Sequence, residues 1–426
     1  MSKVKDEKLA AKGEEELYWA RINMPILKHV RKGFEKELPF KGMKIGVALH
    51  LEKKTGILLE TLRAGGAEIW ASSCNPLSTD DRVAAALAKQ GMNIFAWAGQ
   101  TNEEYYWCLE QVIAQKPEIL IDDGCDLTLL AHKKNFTQYV LGACEETTTG
   151  VNRLRAMDRQ GKLKFPVFAV NDAYSKHLFD NRYGTGQSTL DAIQNMTNLI
   201  IAGKTVVVAG YGWCGKGIAR RFAGMGAKVV VVEIAGDLGE DKMSGSGFHK
   251  ALEAHYDGFS VMNMEQASKV GDIFVTATGN KNVLSKPDFD SMKDGAIISN
   301  SGHFDNEIDL KFLNSKAKSH REVKPNVEEY DYNGKRLYVL SHGRLVNLAR
   351  PTGQGHPVEI MDGSFGIQAL CAREVAVNTP EKPGVSIVPK EIDDEVARIA
   401  LESAGIHLKP PTAEQIKYAN AWDEGT

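Results

Sequence analysis

The feature that most constrains this sequence is a glycine-rich stretch placed between an apolar run and a helix-like segment. Residues 205–208 are β-branched and apolar, which is typical of a buried strand. They lead into Gly210, Gly212 and Gly215, which follow the spacing G-x-G-x-x-G. In such a turn, the first glycine permits a tight bend, the second lets the backbone approach a pyrophosphate, and the third packs the helix on the strand. This order of strand, glycine turn and helix predicts a dinucleotide site.

A second apolar run at 228–232 ends in Glu233, about twenty residues after the glycines. A carboxylate at this position binds ribose hydroxyls and repels a 2′-phosphate, which favours NAD over NADP. The free N–H groups at the start of the helix after the glycines suit the phosphates. The alternative is an ordinary glycine-rich turn, but strand, helix and acid are in register. The sequence therefore predicts NAD as the cofactor.

Composition excludes several other classes of protein. The chain has 426 residues, enough for two or three domains, and its net charge of −3 gives no basic surface for nucleic acid. No apolar run is long enough to cross a bilayer, and the first sixteen residues are charged rather than signal-like, so we expect a cytoplasmic protein. The six cysteines lack CxxC spacing, which argues against a zinc site and a disulfide framework. We expect no bound metal.

Strands and helices alternate along most of the chain. Predicted strands at 43–48, 67–71, 93–98 and 119–121 are separated by predicted helices at 55–63, 80–90 and 103–114. This alternation predicts a doubly wound parallel sheet. A second half of the same kind contains the glycine turn and predicted strands at 272–277, 296–299 and 337–340. We expect an α/β protein with two Rossmann-like domains, 1–184 (to which 353–385 returns) and 185–350, and a helical tail at 386–426.

Polar residues cluster where the predicted strands end. Parallel sheets bind ligands beyond the carboxyl ends of their strands, so these clusters are candidates for a site in the crevice between the two halves. The clusters contain His50, Glu52, Lys54, Thr55, Asp123, Glu146, Thr147, Thr148, Thr149, Asn171, Lys176, Asp180 and Asn181.

Several of these clusters form long motifs. They read DDGCD at 122–126, EETTTG at 145–150, NDAYSKHLFDNRYG at 171–184, AGYGWCGKG at 209–217, NSGHFDNEID at 300–309 and GRLVNL at 343–348. Together these motifs resemble the S-adenosylhomocysteine hydrolase family over nearly the whole chain. The resemblance implies a tetramer of two-domain subunits with a hinge, and a tail that serves oligomerisation.

The resemblance also implies a reaction, the reversible hydrolysis of S-adenosyl-L-homocysteine to adenosine and homocysteine. Bound NAD oxidises the ribose 3′-hydroxyl to a ketone, which acidifies the C4′ hydrogen. Loss of that proton expels the homocysteine thiolate, water adds to the enone, and the alcohol is restored with the cofactor regenerated.

Roles for individual residues follow from the resemblance. Lys176 and Asp180 meet the ribose hydroxyls, and a desolvated Lys176 with a tuned pKa takes the 3′ proton. His50, Asp123 and His303 move protons near C4′ and C5′. The implied substrate contacts are Glu52, Lys54, Thr55, Glu146, Asn171 and the gate residue His356. The implied NAD contacts are Thr147, Thr148, Thr149, Asn181, Gly210, Gly212, Gly215, Lys216, Gly217, Glu233, Ser301, Gly302 and Asn347.

One departure from the family pattern concerns recognition of the base. Glu52 and Lys54 stand where the animal branch has a threonine and a glutamate or glutamine. Lysine only donates hydrogen bonds, whereas hypoxanthine offers an acceptor at position 6 and a donor at position 1. Lys54 and Glu52 would match that edge, so S-inosyl-L-homocysteine is an alternative substrate. The competing interpretation is a local Glu–Lys pair that faces solvent.

Further departures concern cofactor retention and the gate. Residues 235–248 form an extra polar loop beside the expected adenosine ribose, and the C-terminal residues lack the Lys/Tyr tail of the animal branch. We therefore expect weaker NAD retention or another means of holding NAD. Two extra residues between Arg350 and His356 are expected to alter the gate. Competing functions are a non-catalytic, NAD-binding regulatory oligomer and a conventional dehydrogenase that releases NADH.

Overall fold

The computed structural model describes residues 2–236 and 245–423. The extra loop predicted at 235–248 therefore lies largely outside the described residues. Within them, the strands are β1 Lys3–Val4, β2 Lys44–Ala48, β3 Glu68–Ser72, β4 Asn93–Ala96, β5 Ile119–Asp122, β6 Gly142–Glu145, β7 Pro166–Ala169, β8 Thr205–Ala209, β9 Lys228–Val232, β10 Ser260–Met262, β11 Ile273–Thr276, β12 Ala296–Asn300, β13 Ser319–Lys324, β14 Val327–Tyr332, β15 Lys335–Leu340 and β16 Gly384–Ile387.

The α-helices of the same residues are α1 Ala10–Ile22, α2 Pro25–Glu37, α3 Lys53–Ala64, α4 Asp81–Lys89, α5 Asn102–Ile113, α6 Asp126–Lys133, α7 Thr148–Arg159, α8 Tyr174–Lys176, α9 Thr185–Thr197, α10 Trp213–Gly224, α11 Gly247–Tyr256, α12 Met264–Val270, α13 Lys286–Ser291, α14 Leu310–Lys316, α15 Val358–Val377, α16 Lys390–Ser403 and α17 Ala413–Asn420. Short 3-10 turns cover Glu7–Leu9, Thr137–Tyr139, Val170–Asp172 and Ser341–Gly343, and a π-helix covers His177–Gly184.

Two eight-stranded sheets in the described residues organise the chain. The first has the order β1-β4-β3-β2-β5-β6-β7-β16, and every neighbouring pair is parallel. The second has the order β10-β9-β8-β11-β12-β15-β14-β13. Helices cover both faces of each sheet, because strands such as β8, with four valine and alanine side chains fully buried, have no face that water can solvate. The predicted fold class, two doubly wound α/β units with a helical tail, is confirmed.

The second sheet departs from the expected all-parallel arrangement at one edge. Strand β14 runs antiparallel to both β13 and β15. Strands β14 and β15 are joined by Asn333 and Gly334, both with positive φ, which is the turn chemistry that favours a two-residue hairpin. This hairpin was not predicted, although an Asn-Gly pair between two strands favours one.

A continuous run of helical backbone connects the two units. It begins with α8, continues as the π-helix His177–Gly184 and passes into α9. Extra-wide helical turns are rare and concentrate at functional sites. Here the run carries three of the candidate residues, Lys176, Asp180 and Asn181, all of them buried.

The chain after the second sheet returns to the first unit. Helix α15 packs against α2 and α3, strand β16 pairs with β7, and α16 packs against α2, α8 and α15. The expected boundary at 385/386 therefore falls inside β16. The last described helix, α17, has no buried residue. No helix of the described residues is long and apolar enough to cross a membrane.

Candidate active site

The site lies between the two units, at the carboxyl ends of β2, β5 and β6. One inner cavity is lined from the first unit by His50, Glu52, Lys54, Thr55, Asp123, Glu146, Thr147, Thr148, Lys176, Asp180, Asn181 and His356, and from the second unit by Ser301, His303 and Asn347. The parallel strands end at one edge of the sheet, which brings together side chains that are far apart in sequence.

The first cluster in this cavity has the carboxylate of Asp123 at its centre. His50 Nε2 lies 3.4 Å from Asp123 Oδ2, and His303 Nδ1 lies 3.5 Å from Asp123 Oδ1. His50 Nδ1 is 2.8 Å from Ser78 Oγ, which fixes the orientation of the imidazole ring. His303 belongs to the second unit, so the cluster is complete only when the two units meet.

Burial sets the protonation states in this cluster. Loss of water raises the pKa of Asp123 to about 6 and lowers the pKa of His303 to about 4. Burial, with the neighbouring cations, also holds the pKa of His50 well below its usual range. Two neutral imidazoles thus flank a carboxyl group that titrates just below neutral pH, which suits repeated proton transfer.

The second cluster contains Lys176, Asp180 and Glu146. Lys176 Nζ is 3.1 Å from Asp180 Oδ2, 3.7 Å from Glu146 Oε1, and donates to Asn181 Oδ1 at 2.8 Å. His356 Nδ1 pairs with the other oxygen of Asp180. These side chains form a buried polar pocket of the kind that binds sugar hydroxyls.

The charges in this second cluster bear on the role expected of Lys176. Burial disfavours the ammonium group, but the carboxylates of Asp180 and Glu146 outweigh burial and raise the pKa of Lys176. For Asp180, burial is likewise outweighed by Lys176 and His356, and its pKa is lowered. Burial raises the pKa of Glu146 to about 7. The lysine is therefore a cation in this structure. Its role in taking the 3′ proton stays a prediction.

The corner assigned to base recognition is buried. Glu52 and Lys54 are each 2% exposed, and Lys54 Nζ lies 3.1 Å from Glu52 Oε2. The same ammonium group donates to the backbone carbonyls of Gln354 and His356, both at 2.9 Å. Their pairing agrees with the competing interpretation of a local ion pair, but the predicted solvent-facing position is wrong.

A second cleft adjoins the inner cavity and carries the glycine turn. It is lined by Thr147, Thr148, Thr149, Asn181, Gly210, Gly212, Glu233, Ser301, Gly302 and His303, among others. Gly210 has φ +97°, and a Cβ on Gly212 would meet open space, which leaves room for a pyrophosphate against the backbone. Asn347, which lines the adjoining inner cavity, has a buried Oδ1 without a hydrogen-bond partner among the described residues, so a carboxamide could bind there. The cleft thus fits NAD.

Four of the predicted residues lie outside both cavities. Gly215 packs against the carbonyl of Gly210, and Gly217 against the carbonyl of Arg182, so neither has space for a side chain. Lys216 forms an ion pair of 2.7 Å with Glu253. Asn171 lies behind the site, where Oδ1 accepts from Asn181 Nδ2 at 3.0 Å and from Thr148 Oγ1 at 3.2 Å.

Sequence reasoning missed two buried residues that hold the second cluster. Ser364 and Gln368, one turn apart on α15, contact Glu146 at 2.8 Å and 2.6 Å. A signal for them exists, since they are the polar residues of the stretch 363–372 of α15, which is otherwise made of glycine and apolar residues.

One group of metal-type side chains occurs in the described part of the chain. Suitable atoms of His50, Cys74 and Asp123 lie within 4.8 Å of one another. The expectation that no metal is bound stays a prediction.

Comparisons with known proteins agree with this geometry. Residues 1–140 match the model of S-adenosyl-L-homocysteine hydrolase, and residues 181–353 match the model of its NAD-binding domain. The NAD-binding domain predicted from the glycine turn is therefore confirmed.

Full-length relatives carry two names. The chain is 53% identical to S-inosyl-L-homocysteine hydrolase of Methanocaldococcus jannaschii, over 100% of both chains. It is 52% identical to the protein of that name from Methanosarcina mazei, over 99% of this chain and 100% of the relative. It is also 52% identical to adenosylhomocysteinase of Thermococcus kodakarensis, over 99% of this chain and 98% of the relative. With both domain models matched and half of all residues shared with full-length relatives, this chain belongs to the S-adenosyl-L-homocysteine hydrolase family.

Proposed function

We propose that this protein catalyses the reversible, NAD-dependent hydrolysis of S-adenosyl-L-homocysteine to adenosine and L-homocysteine. The observation that supports this most directly is the shared cavity. It combines a polar pocket for ribose hydroxyls, a cluster for proton transfer and an opening to the NAD cleft. A non-catalytic regulatory role is disfavoured because Asp123, Lys176 and Asp180 remain buried together around that cavity.

Different residues of this chain have different roles in the proposed reaction. When bound, NAD supplies reversible oxidation of a substrate hydroxyl, which acidifies the neighbouring carbon–hydrogen bond. Lys176, Asp180 and Glu146 bind and orient the ribose, and the fixed ammonium group of Lys176 stabilises negative charge that develops on a ribose oxygen. Asp123 accepts and returns the carbon-bound proton, and His50 and His303 hold its carboxylate in place.

Removal and return of the cofactor tests the reaction. The protein freed of NAD should release no thiol from S-adenosyl-L-homocysteine, and added NAD should restore release. An Asp123→Asn variant should retain NAD but lose at least a hundredfold in kcat, since general acid–base groups contribute on that order. Thiol release by the cofactor-free protein would overturn the proposal.

A second candidate substrate is S-inosyl-L-homocysteine, favoured by the buried Glu52–Lys54 pair. Hypoxanthine offers a carbonyl to Lys54 Nζ and an N–H to Glu52 Oε2. Glu52 Oε2 lies against the lysine but is otherwise without a hydrogen-bond partner in the described residues. Since all three N–H groups of Lys54 already face oxygens, the base must replace one backbone carbonyl.

Comparison of the two thioethers decides between these candidates. If Lys54 reads the base, Lys54→Gln should shift kcat/KM from the inosyl towards the adenosyl compound by roughly tenfold or more, because a site built for one hydrogen-bond pattern rejects the other. Lys53→Gln is the matched control, since Lys53 pairs with Glu16 outside the inner cavity. An unchanged preference in Lys54→Gln would refute the role of Lys54.

We further propose a cytoplasmic homotetramer in which residues 386–426 contribute to assembly. Helix α17 has no buried residue within its own chain, which supports a role for the tail between subunits. Removal of residues 404–426 should lower the molar mass measured by light scattering, and a full-size assembly of the shortened chain would contradict this role.

The unit that binds substrate comprises 1–184 and the returning segment, and 185–350 binds NAD. The net charge of −3 gives no reason to expect nucleic acid as a partner.

A further inference from the structure

Ser364 occupies a position between two carboxyl groups of the site. Its Oγ lies 2.8 Å from Glu146 Oε1 and 2.9 Å from Asp180 Oδ2. The residue is fully buried on α15 and does not line the inner cavity. It therefore acts on substrate only through its two neighbours.

The number of hydrogens at these contacts is limited. A serine hydroxyl carries one hydrogen and makes only one well-aligned hydrogen bond as a donor. If both carboxyl groups were ionised, one of the two short contacts would join two oxygens with no hydrogen between them. Such a contact in a buried site is strongly unfavourable. One of the two carboxyl groups must carry a hydrogen.

The surroundings decide which carboxyl group is neutral. Asp180 has the stronger cationic partners, with Lys176 Nζ at 3.1 Å and an ion pair to His356. Glu146 is farther from the lysine, at 3.7 Å, and its second oxygen accepts from the neutral amide of Gln368 at 2.6 Å. Asp180 is therefore the carboxylate and Glu146 the acid.

We propose that Ser364 is a positioning residue that makes Glu146 and Asp180 share a single proton, held on Glu146 Oε1 in the resting site. Glu146 donates to Ser364 Oγ, and Ser364 donates to Asp180 Oδ2. The inference rests on the proposed function, because it concerns the groups that bind the ribose.

The electrostatics of the pair agree with this assignment. Burial raises the pKa of Glu146 to about 7, whereas Lys176 and His356 overcome burial and lower the pKa of Asp180. The titratable and charged groups that face the pair are Lys176, Asp123 and His356, with the thiols of Cys144 and Cys371 near Glu146 and the thiol of Cys214 near Asp180.

The same contacts form a path for proton transfer. When the hydrogen of Glu146 moves to Ser364 Oγ, the hydrogen of Ser364 moves to Asp180 Oδ2. One O–H bond breaks and one forms at each step, so Glu146 becomes the carboxylate and Asp180 becomes neutral. A proton can thus pass between the two carboxyl groups without water, and Lys176 and His356 favour its return to Glu146 because they stabilise ionised Asp180.

The Ser364→Ala variant of the NAD-loaded enzyme tests whether Glu146 and Asp180 share a proton through Ser364. Without its acceptor, neutral Glu146 is less stable, so the basic limb of the kcat/KM profile for thiol release should move to lower pH by about one unit. Ser364→Thr, which keeps a hydroxyl, should restore the limb. Ser268→Ala, a buried serine that bonds to the Met264 carbonyl at 2.8 Å on α12, should leave the limb in place.

A limb that moves to higher pH would show that Ser364 only donates to an ionised Glu146, and an unmoved limb would show no sharing. Either result overturns the proposal.

Infrared spectra of holoenzyme with ¹³C-labelled glutamate carboxyl groups give a reading independent of turnover. A protonated-carboxyl band at pH 6 that disappears in Glu146→Gln is expected, and its absence from the wild type refutes the sharing. Because this band does not depend on hydrolysis, a failure of the proposed function remains distinguishable.

Discussion

Buried ionisable side chains at the centre of this protein differ in charge because their neighbours differ. Burial, together with the nearby carboxylate of Asp180, raises the pKa of Asp123 and Glu146, whereas Asp180, also buried, is held ionised by Lys176 and His356. Sequence patterns supplied the identity of these residues. They did not supply their charges, because each charge depends on contacts to residues such as Ser364 that lie far away in sequence.

Asp362 offers a test of such burial away from the cavity. Its two oxygens accept from the backbone N–H groups of Ile26 and Leu27, at 2.7 Å and 2.9 Å, and burial raises its pKa from near 3.8 to about 7. Because the folded-state pKa lies above the unfolded value, the wild type loses stability as the pH rises from about 4 to 7.

Asp362→Asn removes this pH dependence and one of the two acceptors. At pH 5 we expect the variant to have a free energy of unfolding roughly 1–3 kcal/mol below that of the wild type, and a lower melting temperature. This difference in stability should narrow by up to about 1.4 kcal/mol per pH unit towards pH 7. Melting temperatures of both proteins at pH 5, 6 and 7 measure this difference. A gap that is constant or widens would contradict a raised pKa.

For single elements, the local sequence pattern was sufficient to predict most strands of the two sheets and most of the helices that pack on them. Strand β8, the glycine turn and α10 follow the predicted order because their hydrophobic period and turn residues are local signals. Strand β16 was missed because none of its four residues, Gly384–Ile387, is buried and because it pairs with β7, more than two hundred residues earlier. Such pairing leaves no local pattern.

The long-range contact of α16 with α8 leads to a prediction for Asp393. Its oxygens accept from the N–H groups of Tyr174 at 2.7 Å and Ser175 at 2.9 Å, at the start of the short helix that carries Lys176. Asp393→Ala should lower the unfolding free energy by about 1 kcal/mol and reduce kcat more than it raises KM, since Lys176 loses its anchor. Asp394→Ala, which removes only an exposed pair with Lys390, is the control. Equal effects of both variants would refute the anchoring role.

At the scale of the whole molecule, the two units meet across a very short distance. His303 of the second unit lies against Gly124 of the first, and a Cβ on Gly124 would overlap the imidazole ring. The sequence predicted a crevice between two halves from their order along the chain. It did not predict how closely the halves approach, because that depends on the absence of a side chain at one position.

Gly124→Ala should therefore prevent the units from meeting. We expect NAD to be retained, because most of its cleft belongs to the second unit, while kcat/KM for thiol release falls by at least tenfold. Gly99→Ala is a matched control, since Gly99 also has positive φ but open space around it. Comparison with Gly99→Ala separates the effect of backbone strain from that of the steric overlap with His303. Normal activity in Gly124→Ala would show that this contact is not needed.

In the reaction that we propose, one cavity couples thioether hydrolysis to a bound nicotinamide. Rapid mixing of the NAD-loaded enzyme with S-adenosyl-L-homocysteine and, separately, S-inosyl-L-homocysteine measures both events together, with thiol release and the absorbance of reduced nicotinamide recorded on the same sample. We predict transient reduced nicotinamide in step with thiol release for at least one substrate, and no NADH in solution at the end. Thiol release without any reduced nicotinamide, or accumulation of free NADH, would show that hydrolysis is not coupled to a recycled nicotinamide.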